Sequence, residues 1–369
     1  MKRSLPVYLC SLLALSALAM LGPDASRPAG AQLRSLAMLS LLAPPAVPSS
    51  YAIRDLGTLG GIYSVPNAIN ASGQAAGNSL TAGEAAVHAF LWANGKMQDL
   101  GTLGGANSGA NAINAAGQVV GTSDRALVGS HAFLWANGRM QDLGTLGGSF
   151  STAWGINTSG QVAGDSLNTA GTADHAFLWS NGKMQDLGTL GGTNSIAYGL
   201  SDSGQVCGVS EIAGDQSQHA FRWANGKMQD LGTLAGSVSF ANNSNAAGQV
   251  VGAATLANDV SQHAVLWTNG QIQDLGTLGG SNSAALAINA AGQVVGNSTT
   301  IAEVVAGGGT AVQHAFLWDN GVMTDLNSLL PAGSGWFVFG ALAINDAGQI
   351  VGNGIFNGQE RACLLTPVP

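Results

Sequence analysis

His88-Ala-Phe-Leu-Trp-Ala-Asn-Gly-Lys-Met-Gln-Asp-Leu-Gly-Thr-Leu-Gly-Gly105 is the stretch on which the fold turns. His88 to Trp92 is a short apolar and aromatic run with strand character. Asn94-Gly95 is a dipeptide whose two residues tolerate positive φ, as the two-residue turn of a tight hairpin demands. Lys96 to Leu100 reads as the return strand. Gly101-Thr-Leu-Gly-Gly105 then carries the chain onward as a glycine-rich crossing.

The stretch recurs. The Asp of its Asp-Leu pair returns at Asp55, Asp99, Asp142, Asp186, Asp230, Asp274 and Asp325, at intervals of 44, 43, 44, 44, 44 and 51 residues. A Gly-Gln pair keeps step at Gly73, Gly117, Gly160, Gly204, Gly248, Gly292 and Gly348, which makes seven units. Each unit holds four short strand-like runs. In the second they are A around Asn111-Ala-Ile-Asn114, B Gln118–Thr122, C His131–Trp135 and D Arg139–Leu143. Four strands in about 40–45 residues is the period of a β-propeller blade. Such a blade buries both faces against its neighbours, which fits a chain with 9% charged residues and 54 glycines.

The ends choose between a ring and an open stack. Tyr51–Leu56 matches strand D with no strand C before it, and Arg361–Leu365 matches strand C with no strand D after it. The two fragments complete one blade. A ring closed in this way hides its edges, whereas a β-solenoid, the main alternative, needs capping repeats. The expectation is an all-β, seven-bladed propeller of four-stranded blades over residues 51–369, closed by pairing of the N-terminal strand with the C-terminal blade.

Before Tyr51 the chain has the features of an export signal. Lys2-Arg3 is followed by an apolar run from Leu5 to Leu21 and by small residues. Residues 1–31 read as a signal peptide, with cleavage after Ala19 or Ala31 or an uncleaved anchor as alternatives. Residues 32–50 read as an apolar, Pro-rich linker. Export would place the protein outside the cell, in the periplasm or at the cell surface, with no membrane span in the mature chain. From Tyr51 on there are 8 basic and 19 acidic residues, a balance of −11, which argues against nucleic acid as a partner. Cys207 and Cys363 stand where other units carry Val and Phe, so free buried thiols are expected.

The pairing of His-Ala-Phe-Leu-Trp with Asp-Leu-Gly-Thr-Leu-Gly-Gly, at His88–Gly105, His131–Gly148 and His175–Gly192, resembles the HAF family of extracellular repeat proteins. The resemblance covers Tyr51 to about Thr366. It implies an exported bacterial repeat protein and supplies no catalytic residue to carry over. Departures are local: Ala235 for the first Gly of a pair, Val265 for Phe, Asn327-Ser-Leu-Leu330 for Gly-Thr-Leu-Gly, and Arg361 and Leu365 for the seventh His and Trp.

All six histidines share one register: His88, His131, His175, His219, His263 and His314. With a two-residue turn at Asn94-Gly95, His88 and Asp99 become diagonal neighbours on one face. The same holds for Asp142, Asp186, Asp230, Asp274 and Asp325 in their units. Groups that recur once per blade suit bracing better than catalysis, which needs one constellation. WD-repeat propellers resemble this use of His and Asp. In the closing blade the diagonal pairs Arg361 with Asp55, so an ion pair across the closure is expected. No zinc spacing, calcium loop, phosphate loop or nucleophile elbow is present, so neither a metal nor a cofactor is implied.

Trp92, Trp135, Trp179, Trp223, Trp267 and Trp318 share a register beside the turn and read as blade-to-blade packing. Trp154 and Trp336 fall outside it, at the expected inner strand, and are candidates for a channel or its mouth. The B–C loops differ in every unit, and Thr299–Gln313 is the longest. They contain Glu84, Asp124, Asp174, Glu211, Asp215, Asp259 and Glu303 against the one basic Arg125. With Trp336 these form a candidate acidic binding face, the alternative being solubility. The functional expectation is a non-enzymatic binding module for an extracellular protein or glycan. The alternatives are a hydrolase or lyase with a site at the channel mouth, and a structural matrix component. The oligomeric state stays open.

Overall fold

The computed structural model describes residues 48–368 except 127–128, 258 and 301–312. The leader and most of the linker, residues 1–47, lie outside them. The described chain forms seven four-stranded antiparallel sheets, the seven blades of a β-propeller. In the second blade strand A is Gly104–Ile113, B is Val119–Arg125, C is Ser130–Ala136 and D is Arg139–Asp142. From blade 1 to blade 7 the inner strands A are Gly60–Ile69, Gly104–Ile113, Gly147–Ile156, Gly191–Leu200, Ser239–Ser244, Gly279–Ile288 and Trp336–Ile344.

The ring is closed by Tyr51–Asp55, which pairs antiparallel with Gln359–Pro367 as the fourth strand of blade 7. The Leu56 amide continues the ladder by donating to the Ala362 carbonyl at 3.0 Å. At the C–D hairpin Asn94 and Gly95 have φ of 53° and 79°, the doubly positive geometry that this dipeptide favours.

Strand A is longer than the sequence suggests, because it begins inside the glycine-rich crossing. Gly104 sits at φ 102°, which a side chain would resist. Ala235 shows the consequence of losing that glycine. Strand A of blade 5 starts only at Ser239, and the parallel bridge that Leu103 makes with Arg125 in blade 2 has no equivalent among the described residues of blade 5.

The core lies between blades. Leu91 and Leu100 of blade 1 pack with Ile113, Val119, Phe133 and Trp135 of blade 2, and the pattern repeats around the ring. Burying each large side chain contributes roughly 1.5–3 kcal/mol. Trp92 lies opposite Met97 across its hairpin and packs with blade 7 residues at the closure.

Two polar rings lock the blades. Ser108 Oγ accepts from the Ala89 amide of blade 1 at 2.9 Å and donates to the Gly101 carbonyl at 2.6 Å. Ser151, Ser195, Ser239 and Ser283 repeat the inter-blade bond. At the A–B turns Asn114 Oδ1 caps the amides of Ala116 and Gln118, while its Nδ2 reaches the Asn157 carbonyl of the next blade at 3.1 Å. Asn345 closes this second ring onto the Asn70 carbonyl at 3.0 Å. Ser201 breaks it: its hydroxyl turns to Ser203 at 2.8 Å and makes no bond to the described residues of blade 5. Cys207 and Cys363 are buried and free, and burial pushes the Cys207 thiol up to about 12.

Candidate functional site: the central cavity

Each strand A carries a β-bulge two or three residues before its end. In blade 2 the register steps from Ala110↔Gly121 to Ala112↔Val120 and leaves Asn111 unpaired. A bulge re-aims the side chain of its extra residue. The same step isolates Asn67, Trp154, Tyr198, Asn242, Leu286 and Leu342 in the other blades. All seven line one central cavity of about 590 Å³, within the roughly 300–1,000 Å³ of small-molecule pockets. Most positions of the repeat are uniform, but this ring holds three asparagines, two aromatics and two leucines.

The asparagines have a fixed orientation. Nδ2 of Asn67, Asn111 and Asn242 donates to the carbonyls of Ala110, Ala153 and Ala285 in the following blades, at 2.8, 2.9 and 2.8 Å. A carbonyl can only accept, so the amide nitrogen must face it. Each Oδ1 is thereby left without a protein donor among the described residues, as an acceptor at the cavity wall.

Blades 3 and 4 supply the aromatic side. Trp154 and Tyr198 meet edge to face, with centroids 5.7 Å apart and planes at 72°. The indole Nε1 donates to Asp165 Oδ1 at 2.5 Å. Asp165 is 4% exposed, and it sits on strand B opposite Thr152 and Ala176. Leu167 lies opposite Asp174 in that ladder, which makes Asp165 and Asp174 diagonal neighbours on one face. Burial, and secondarily the charge of Asp174, pushes Asp165 up to about 7. Burial also raises Asp174. Asp174 Oδ1 is buried without a hydrogen-bond partner among the described residues. Burial raises the Tyr198 hydroxyl, with Asp165 and then Asp174 adding to the shift. Both carboxyls therefore stand one layer behind the aromatic wall.

The residues singled out from sequence fall elsewhere, Trp154 and Asp174 excepted. His88 Nδ1 lies 2.8 Å from Asp99, and the equivalent contacts of His131, His175, His219, His263 and His314 with Asp142, Asp186, Asp230, Asp274 and Asp325 span 2.7–2.9 Å. These pairs are partly exposed, not buried: the Asp side chains keep 28–44% of their surface. Asp99 also caps the Gly101 amide at 2.8 Å.

The expected Arg361–Asp55 ion pair is corrected by the structure. Arg361 donates to Gln359 instead, and Asp55 Oδ1 accepts from the Gly57 amide at 2.8 Å. An exposed ion pair gains only about 0–1 kcal/mol, too little to hold a long side chain across the closure.

The loop carboxylates Asp124, Glu211, Asp215 and Asp259 are each held by local hydrogen bonds. Asp124 accepts from Asn107 and Ser130, Glu211 from Asn194, Asp215 from Thr193, and Asp259 from Ser237 and Thr255. These bonds hold Asp124, Asp215 and Asp259 below the usual carboxylate range. Trp336 stacks on Phe356 at 4.8 Å and does not line the cavity. Glu303, the side chain of Glu84 and most of the long loop at 299–313 lie outside the described residues. Sequence reading missed the bulge ring, although a signal existed: one position before Ala/Gly-Ile-Asn changes from unit to unit while its neighbours barely do.

No family model and no curated protein matches the chain. Among solved structures it is similar to the β-propeller domain of the Trilobed protease from Pyrococcus furiosus, at 10% identity and a TM-score of 0.50, over 71% of this chain and 80% of that one. That domain is described as having an open velcro topology, whereas here the first and last strands pair. TolB from Acinetobacter baumannii (12% identity, TM-score 0.42, 76% of each chain) and the Pyrococcus horikoshii acylaminoacyl peptidase (12%, 0.42, 71% of this chain and 44% of that one) are also similar. At these identities the likeness is one of fold alone. The chain is a seven-bladed β-propeller, closed through its N-terminal strand.

Proposed function

We propose that this is an exported, non-enzymatic binding module, of the extracellular type that its HAF-like repeats resemble. It acts outside the cell or in the envelope after removal of residues 1–31. Its partner is an extracellular protein or glycan, met on the face formed by the variable B–C loops and D–A crossings. The observation that carries the reading is the division of polar groups. The repeated His and Asp side chains are paired within each C–D hairpin, and the repeated Ser and Asn side chains bond blade to blade. Where unrepeated side chains converge, at the cavity, Tyr198 is the one titratable group among the lining residues. The carboxyl best suited to proton transfer, Asp165, is sealed behind Trp154. That arrangement disfavours the hydrolase or lyase alternative, because a general acid must reach its substrate.

The test is a thermal-shift panel of envelope glycans on the full chain and on a variant with Thr299–Gln313 shortened to the common loop length. A glycan that raises the melting temperature of the parent but not of the variant supports recognition on that face. Turnover of any glycan by the parent would sink the non-enzymatic reading.

A further inference from the structure

The cavity favours a particular ligand chemistry. Five consecutive blades present electron-rich groups to it: the outward Oδ1 atoms of Asn67, Asn111 and Asn242, and the rings of Trp154 and Tyr198. Lys and Arg are absent from its lining residues. Blades 6 and 7 close the opposite side with Leu286 and Leu342. Asp165 and Asp174 stand behind the aromatic pair. We propose that the central cavity binds an organic ammonium ion, its cationic head in the corner between Trp154 and Tyr198 and its aliphatic part against Leu286 and Leu342.

The physical reasons converge. A cation is drawn to the face of an aromatic ring, most strongly to Trp, and the attraction grows when water is excluded. Two rings at 72° form two walls of such a cage. As it ionises with rising pH, the carboxyl pair supplies countercharge without contacting the ligand, so it acts on affinity through the field. The Trp154 bond to Asp165 fixes the indole plane, so little side-chain freedom is lost on binding. The unpaired Oδ1 atoms suit a ligand that brings donors or positive charge, and they offer nothing to an anion. This inference rests on the binding-module reading and names the ligand class of the cavity, not of the loop face.

The experiment uses the full chain and isothermal titration with choline, tetramethylammonium and 3,3-dimethylbutan-1-ol, the uncharged isostere of choline. Choline should bind saturably, and the isostere at least about tenfold more weakly. Trp154→Leu should abolish choline binding. Asp165→Asn keeps an acceptor for the indole, so the fold is retained, and at pH 8, where the Asp165 carboxyl is ionised, it should weaken choline by about threefold to tenfold while leaving the isostere unchanged. Phosphatidylcholine vesicles form a further arm: co-sedimentation that choline competes away would assign the ammonium group to a lipid head, and choline binding without co-sedimentation would assign it to a free solute. Equal binding of choline and its isostere, unchanged binding to a folded Trp154→Leu variant, or no saturation by choline would overturn the proposal. A glycan shift that depends on the loop, together with no choline binding, would leave the module reading standing and remove the ammonium site alone.

Discussion

The outer hairpins and the inner bulges of this propeller come from the same repeat, yet they are under opposite constraints. In the hairpins Phe and Trp recur because they pack against the adjacent blade, and His and Asp recur as a pair within the hairpin whose Asp also caps the crossing that follows. Changing one breaks a packed interface. At the bulges the side chain is turned out of the ladder into the channel. The ladder of the blade does not dictate its identity, so Asn, Trp, Tyr and Leu all occur there. The lesson is that in a repeat protein the uniform positions report architecture. A position released from it, as at the bulge, is where a ligand can be read.

This contrast can be broken or sharpened by substitution, and the largest effect is expected in the blade backbone. At Gly121 a Cβ would sit 1.9 Å from the Gly109 carbonyl oxygen. Gly121→Ala must push strand A outward, and a loss of about 3 kcal/mol or more is expected in urea unfolding. Asn111→Ala, in the ring of the same blade, loses one inter-blade bond and should cost only about 1 kcal/mol. Similar costs at the two sites would erase the distinction.

The next effect depends on pH. The unfolded chain releases the Asp165 proton near pH 4, whereas the folded protein holds it to about pH 7. Across that window the folded state binds more protons, so this group lowers stability as pH rises, and the slope ends above pH 7. Asp165→Asn should remove the slope and melt higher than the parent at pH 8 by more than at pH 5. A parent whose melting temperature rises steadily from pH 5 to 8, with the variant following in parallel, would contradict the buried-acid assignment.

A smaller effect tests the Asn ring. Ser201→Asn should restore the missing inter-blade bond and stabilise the protein by about 1 kcal/mol, and Asn114→Ser should cost about as much. Chemical denaturation of the two variants checks the pair together, since opposite signs are required. The smallest effect belongs to Arg361→Ala, which should change stability by less than about 0.5 kcal/mol, because among the described residues the side chain's hydrogen bond is to Gln359. A cost of 2 kcal/mol there would revive an ionic closure.

Much of the architecture was legible in the residues. The Asn-Gly turns, the repeat interval and the split blade at Tyr51 and Arg361 specify strands, count and closure. Each depends on local backbone preference or on simple counting along the chain. The diagonal of His88 and Asp99 follows from hairpin register in the same way, although its partial exposure does not. The Arg361 pairing failed because sequence gives the diagonal but not the solvent that competes for it. What sequence does not give for the loop acids is their local bonding: Asp124, Glu211, Asp215 and Asp259 each accept hydrogen bonds from nearby residues.

The sequence by itself determined the blade, its repetition and the ring, because these rest on period, turn chemistry and the matching of two chain ends. Only the tertiary structure decided what meets in the middle. Trp154, Asp165, Asp174 and Tyr198 are spread over 45 residues and two blades. Their meeting depends on a bulge that rotates one residue of each inner strand out of register and on the curvature that brings seven such residues together. Each bulge lies between strands A and B of one unit, but the meeting of seven bulged residues appears only when the blades pack around the ring.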